Sequence, residues 1–254
     1  MSIVFLLSIA LQVGCAVHVV RSGRPLYWIW LIIIGSYLAV AVYVLIAVIP
    51  DLRHDPRGRQ AVNRTVNLID PQRRRRELQR QLELSDTVHN RRRLAEESLK
   101  LGDYTNAREL YESLLTGMYA TEPDFMLGLA QAQAGEGDFA ATRGTLESLI
   151  AANPRYKSHD GHLLYARSLE ALGQTDEALE EYRVLADSFP GEEGRFRYGR
   201  LLAKTARHDE ARDVFATQIR RASLMPGYYR RKEQEWLKAA KAELGQLGGA
   251  WNAG

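Results

Sequence analysis

The chain is 254 residues long, 46% hydrophobic and 26% charged, a composition that excludes a disordered protein and allows one or two packed units. Cys15 is its single cysteine, which rules out an intramolecular disulfide framework and, by itself, a cysteine metal centre. The net charge of +3 divides into +2 over residues 1–50, +6 over residues 51–93 and −5 over residues 94–254, so a mildly basic total conceals a basic neck and an acidic body.

Ser2 to Val20 carries no charged side chain apart from His18, and Leu26 to Ile49 carries none. As helices the second stretch is about 36 Å long and the first about 27 Å, against a hydrocarbon core of roughly 30 Å. The intervening Arg21-Ser22-Gly23-Arg24-Pro25 reads as a tight turn, so residues 1–50 are expected to form a transmembrane hairpin. A cleaved secretory signal is disfavoured because Met1-Ser2 supplies no basic n-region, and a lipoprotein signal at Cys15 because Gln12 sits where an apolar residue is wanted. From Asp51 to Arg93 twelve Arg and no Lys stand against six carboxylates. Positive flanks stay on the cytoplasmic side, so the expected location is the cell inner membrane with the rest of the chain cytoplasmic. Trp28-Ile29-Trp30 and Tyr43 make this hairpin resemble the N-terminal membrane domain of cardiolipin synthases and other phospholipase D relatives. The resemblance implies a bacterial source and a shared anchor without shared chemistry: phospholipase D catalysis needs His-x-Lys-x4-Asp, and none of the six His here has Lys two places on.

Residues 51–86 are read as a basic juxtamembrane neck. Asp70-Pro71 is a helix start, and Arg73 to Leu84 follows as a charged helix in which only Leu78, Leu82 and Leu84 are apolar. Arg73, Arg74, Arg75 and Arg76 are assigned to anionic lipid headgroups, at about 1 kcal/mol for each residue near the surface. A plainly solvated flank is the competing reading. Nucleic acid is disfavoured because no aromatic residues interleave with the arginines. Asn63-Arg64-Thr65 matches a glycosylation acceptor, a match that cytoplasmic placement makes accidental.

After the neck a phrase recurs: Gly102-Asp103-Tyr104-Thr105-Asn106-Ala107, Gly137-Asp138-Phe139, Gly173-Gln174-Thr175-Asp176-Glu177-Ala178 and His208-Asp209-Glu210-Ala211. Steps of 35, 36 and 33 residues between equivalent positions are the period of a two-helix solenoid unit. Large-small pairs (Leu94-Ala95, Leu129-Ala130, Tyr165-Ala166, Tyr198-Gly199) fall in each first helix. Ala107, Ala178 and Ala211 fall early in second helices, each followed four residues on by Tyr111, Tyr182 or Phe215, and Pro154 and Pro190 close units two and three. In these positions the chain resembles the tetratricopeptide repeats over roughly residues 88–225. It departs from them at Thr142, at Tyr119 in place of Pro, and at Ala206 in place of the turn Gly. The fold class is therefore all-α: an N-terminal transmembrane hairpin, then a right-handed α-solenoid of about four tetratricopeptide-like helix pairs over residues 87–226. A capping helix, Tyr228 to Leu244, with a disordered Gly-rich tail over 245–254, completes residues 227–254.

No catalytic constellation, metal site or cofactor site is legible, and the chain is read as a non-enzyme. His159-Asp160-Gly161-His162 looks like a ligand pair but is satisfied as a helix start, and Gly135-Glu136-Gly137-Asp138-Phe139-Ala140 lacks the strand that a dinucleotide loop needs. What remains is binding. The tetratricopeptide resemblance implies a groove lined by the first helices, whose facing residues include Arg92, Glu96, Leu127, Gln131, Leu163, Arg167, Glu170, Phe196, Arg197 and Arg200. Gln131, Arg167, Phe196, Arg197 and Arg200 are the expected partner-binding residues, forming a basic pocket suited to an acidic or C-terminal peptide. Glu96 stands where chaperone-binding members carry a clamp Asn, which disfavours that specific role. The leading expectation is a membrane-anchored protein-interaction scaffold; the alternative is a regulatory subunit of a membrane lipid or envelope biosynthesis enzyme that binds through its hairpin.

Overall fold

The computed structural model describes residues 3–21, 25, 27–34, 42 and 70–251, and all regular structure among them is helical. The chain divides into two compact units, Met1–Arg73 and Arg74–Gly254.

In the first unit, α1 (Ile3–Arg21) and α2 (Tyr27–Ile34) pack together through Cys15, Val19 and Ile32, with Trp28 and Ile29 against them. Among the described residues no helix is long and apolar enough to cross a membrane. α2 has eight residues, about 12 Å of helix, and most of the expected second span, like neck residues 51–69, lies outside the described residues.

The second unit begins with α3 (Arg73–Leu84), bounded as the Asp70-Pro71 start anticipates. It is more than a solvated neck. Leu78 is 2% exposed, Arg93 Nη1 donates to Gln81 Oε1 at 3.1 Å, and Asn90 Nδ2 donates to the Ser85 carbonyl at 2.8 Å. The compact unit therefore starts at Arg74 rather than at residue 87.

Four helix pairs follow: α4 (Val88–Leu101) with α5 (Tyr104–Leu114), α6 (Pro123–Glu136) with α7 (Phe139–Ala152), α8 (His159–Ala171) with α9 (Thr175–Ser188), and α10 (Glu193–Lys204) with α11 (His208–Ser223). Three of the first-helix starts have a local cause. Thr87 and Ser158 cap α4 and α8 by accepting from Asn90 N and Gly161 N, and Pro123 opens α6 at a position that needs no N–H. Inside each pair the chain reverses through one hydrogen-bonded turn, in which a backbone N–H reaches five residues back. The donors are Asp103 to Ser98, Asp138 to Gln133, Gln174 to Leu169 and Arg207 to Leu202. The turn needs a left-handed residue, supplied by Gly102, Gly137, Gly173 and, in unit four, by Ala206 at φ 61°.

The core is a run of stacked clusters. Ala95, Ala130 and Ala166 are fully buried, so the second helix can lie close to the first. Tyr182 and Phe215 are fully buried as well, at the centre of a cluster that extends from unit three to the C-terminal segment.

That segment differs from the expected single cap. It is two helices, α12 (Gly227–Lys232) and α13 (Gln234–Trp251), broken at Glu233. The Gly-rich residues 245–251 are helical rather than disordered, because Leu244 and Leu247 continue the apolar stripe of Trp236, Ala239 and Ala240 onto the last cluster. Residues 252–254 lie outside the described residues.

Candidate functional site

The first-helix face was the expected groove. Gln131 and Arg167 are half-buried there, and Arg167 has no carboxylate partner among the described residues. Phe196 is a correction. It is 5% exposed, with its ring 5.9 Å from Phe215 and 5.5 Å from Trp236, and so belongs to the core that joins unit four to α13. The sequence could not reveal this, since residues from three helices converge on that ring.

Two of the expected groove cations are already neutralised. Arg197 Nε donates to Glu193 Oε1 at 2.7 Å, and its guanidinium lies 5.6 Å from the Trp236 ring. Arg200 stands 3.6 Å from Glu170 Oε1 and over the Phe196 ring, while its Nε is buried with no hydrogen-bond partner. Lys204 Nζ and Tyr182 Oη donate to the same Glu170 carboxylate, both at 2.9 Å. Burial works to raise the Glu170 pKa, but Lys204, Tyr182 and Arg200 outweigh it and hold the carboxyl below its ordinary range. Burial first, then this carboxylate, push the Tyr182 phenol far up. Further along the same face, Arg92 pairs with Glu96 at 2.7 Å and reaches Asp124 at 4.0 Å. The face is a ladder of internal ion pairs with Arg167 left over.

The headgroup arginines are also divided. Arg74 pairs with Glu97 at 3.3 Å and Arg75 with Asp103 at 2.5 Å, which ties both to the first repeat. Arg73 and Arg76 are exposed, as is Arg74 despite its ion pair.

A different surface offers unfilled volume. A cavity of about 610 Å³ opens between the second helices α7 and α9, with α8 beneath it. Leu146 and Leu149 form its floor, and Ile150 and Val184, 59% and 47% exposed, form its rim. Several of its polar groups are already engaged: His162 Nε2 lies 2.6 Å from Glu181 Oε2, Ser158 Oγ caps α8, and Tyr156 Oη donates to Asp124 Oδ1 at 3.2 Å. A visiting apolar side chain can therefore meet the floor and rim without breaking these hydrogen bonds, and the exposed Lys157 of the lining has no carboxylate partner among the described residues. The signal for this site was present in the sequence. Ile150 and Val184 sit off the buried stripes Thr142/Leu146/Leu149 and Ala178/Tyr182/Leu185, where a solvated helix would carry a polar residue. Among the described residues no group of three or more His, Cys, Asp or Glu could hold a metal ion.

In structure the chain is similar to a thermophilic TPR protein of Thermus thermophilus, with a TM-score of 0.51 and 20% identity over 70% of this chain and 94% of that one. It is also similar to MamA RS-1 in its ArsTM double mutant, with a TM-score of 0.53 and 15% identity over 64% and 90% of the two chains. Nearly identical TPR-like repeats from Podosopora anserina give a TM-score of 0.51 and 18% identity over 65% and 90%. At these identities the likeness is one of fold. No curated relative matches the chain in sequence. None of these likenesses lends support to the phospholipase D resemblance of residues 1–50. The family model described as tetratricopeptide repeat matches residues 92–156, 127–193 and 163–226, together more than half of the chain. The chain belongs to the tetratricopeptide repeat family.

Proposed function

We propose that the chain is a membrane-anchored scaffold whose repeat domain holds a protein partner. The observation that carries this reading is the apolar cavity between α7 and α9, whose exposed rim residues, Ile150 and Val184, have no structural need to be apolar. A concave site of this size with an apolar floor and rim suits an apolar anchor residue of a peptide better than a polar substrate. Repeat domains of this family present such surfaces on a rigid frame. On the first-helix face the half-buried Arg167, which has no carboxylate partner among the described residues, is the cation left for an acidic group of the same partner.

The anchoring rests on the charge pattern of the sequence. The uncharged stretches in residues 1–50 and the +6 balance of residues 51–93 favour an inner-membrane anchor with the repeat domain in the cytoplasm. Arg73, which is exposed, is the neck residue best placed to meet anionic headgroups, whereas Arg74 and Arg75 are held by Glu97 and Asp103. A reporter fused after Gly254 is expected to work only in the cytoplasm; a periplasmic signal overturns the topology.

Partner binding is tested with the full chain and its Ile150→Asp/Val184→Asp variant. Both positions are exposed, so the fold should persist while affinity for a copurifying protein falls at least tenfold. Wild-type affinity in that variant and in Arg167→Glu overturns the repeat domain as the recognition surface.

A further inference from the structure

The acidic repeat domain contains one stretch of opposite character. From Val214 to Lys232 there is no carboxylate and there are five cations: Arg220, Arg221, Arg230, Arg231 and Lys232. In the structure these residues flank the turn between α11 and α12, where the Leu224 and Met225 N–H groups bond back to Arg221 and Ala222 and Tyr229 N bonds to Pro226. All five cations are exposed. At the tip of the turn Leu224 is 83% exposed, Met225 41% and Tyr228 69%, while the adjacent Tyr229 turns inward to donate to Glu192.

Helix-end cations alone would be accounted for by the helix dipole. Three exposed apolar or aromatic side chains in a turn flanked by five exposed cations are not. Nothing in the fold requires Leu224 or Met225 to be apolar, and water is a poor solvent for them.

We propose that this turn is a peripheral contact for an anionic lipid surface. Leu224 and Met225 would enter the acyl boundary, Tyr228 would lie at headgroup depth with its ring apolar and its hydroxyl wet, and the five cations would meet lipid phosphates. Nucleic acid makes use of the cations and not of an aliphatic tip. An acidic protein would need these side chains to fill a pocket, whereas a bilayer accepts a convex tip without one. The contact is separate from residues 1–50 and does not require them to span.

The test uses the full chain with Cys15→Ser and Met225→Cys, labelled at residue 225 with a polarity-sensitive fluorophore. Vesicles containing phosphatidylglycerol should shift the emission to the blue, and neutral phosphatidylcholine vesicles should not. Each cation lost should weaken partitioning about fivefold, so Arg220→Gln, Arg221→Gln, Arg230→Gln and Arg231→Gln together should return the emission to its aqueous value. Flotation of the same protein with neutral vesicles reports on residues 1–50 separately, so a failure of the anchor is not mistaken for a failure of the turn. An unshifted label on anionic vesicles overturns the proposal. So does a shift produced by an oligonucleotide, or by raised protein concentration without lipid, where vesicles produce none.

Discussion

Lys204 Nζ donates to Glu170 Oε1 at 2.9 Å, across 34 residues and from one repeat to the next. With Tyr182 Oη on its other oxygen, the Glu170 carboxylate ties α8, α9 and α10 together. Replacing it by Gln removes the charge that Lys204 and Arg200 face, and should destabilise the repeat domain by about 1–2 kcal/mol. The same link fixes a pH dependence. Since the folded pKa of Glu170 lies below its unfolded value, the stabilisation is complete above the unfolded value and fades as pH falls through the folded one. Wild type and Glu170→Gln should therefore differ in melting temperature at pH 7 and converge in acid. Parallel melting curves down to acid pH would sink this assignment.

Ala206 is the left-handed turn residue of unit four, at φ 61°, where the other three units use Gly. An L side chain in that conformation costs roughly 1–2 kcal/mol, of which a glycine returns part to the greater freedom of its unfolded chain. Ala206→Gly should stabilise by about 0.5–1 kcal/mol, read as a higher denaturant midpoint at unchanged slope. A lower midpoint would mean that the turn is held by contacts other than its backbone.

Gly199 occupies the small position that is Ala in the other three units, so Gly199→Ala would pass for a harmless change by repeat consensus. The structure says otherwise. A Cβ there would meet the Phe215 ring at 2.7 Å, and that ring is fully buried against Phe196. Helix propensity favours Ala by up to about 1 kcal/mol, but overpacking costs typically 1–3 kcal/mol. A net loss of about 1–2 kcal/mol in equilibrium unfolding is expected, and a stabilised variant would show that Phe215 can give way.

These contrasts mark what the sequence can carry. Period, pair boundaries and buried alanines are local patterns, so Ala95, Ala166 and Ala211 could be placed from spacing, and α3 could be bounded from Asp70-Pro71. The groove was less legible, because a residue's charge is visible in sequence and a partner on another helix is not. Arg200 meets Glu170 from another helix, whereas the partner of Arg197, Glu193, stands one helical turn earlier and is legible from spacing alone. Phe196 failed for a related reason: its neighbours Phe215 and Trp236 lie on helices distant in sequence. The cap failed because the break at Glu233 answers to Glu192, 41 residues earlier.

That break supports the last prediction. Glu233, buried to 6% exposure, accepts the backbone N–H of Glu192 at 2.9 Å, and the Glu192 side chain in turn accepts from Tyr229 Oη at 2.8 Å and Arg195 Nη1 at 3.1 Å. Burial and the nearby Glu192 carboxylate push the Tyr229 phenol far up, so it stays protonated and able to donate. Glu233→Ala leaves a buried N–H with no acceptor, at about 1–3 kcal/mol, although it also relieves repulsion between two carboxylates. The orphaned donor should win, because Arg195 and Lys232 already offset much of that repulsion. Glu233→Gln keeps an oxygen in place and should recover most of the loss. In hydrogen exchange the Glu192 amide should lose protection in the Ala variant and keep it in the Gln variant. Equal protection in both would show that α13 is held by Trp236 and its apolar stripe alone, with the polar latch contributing nothing.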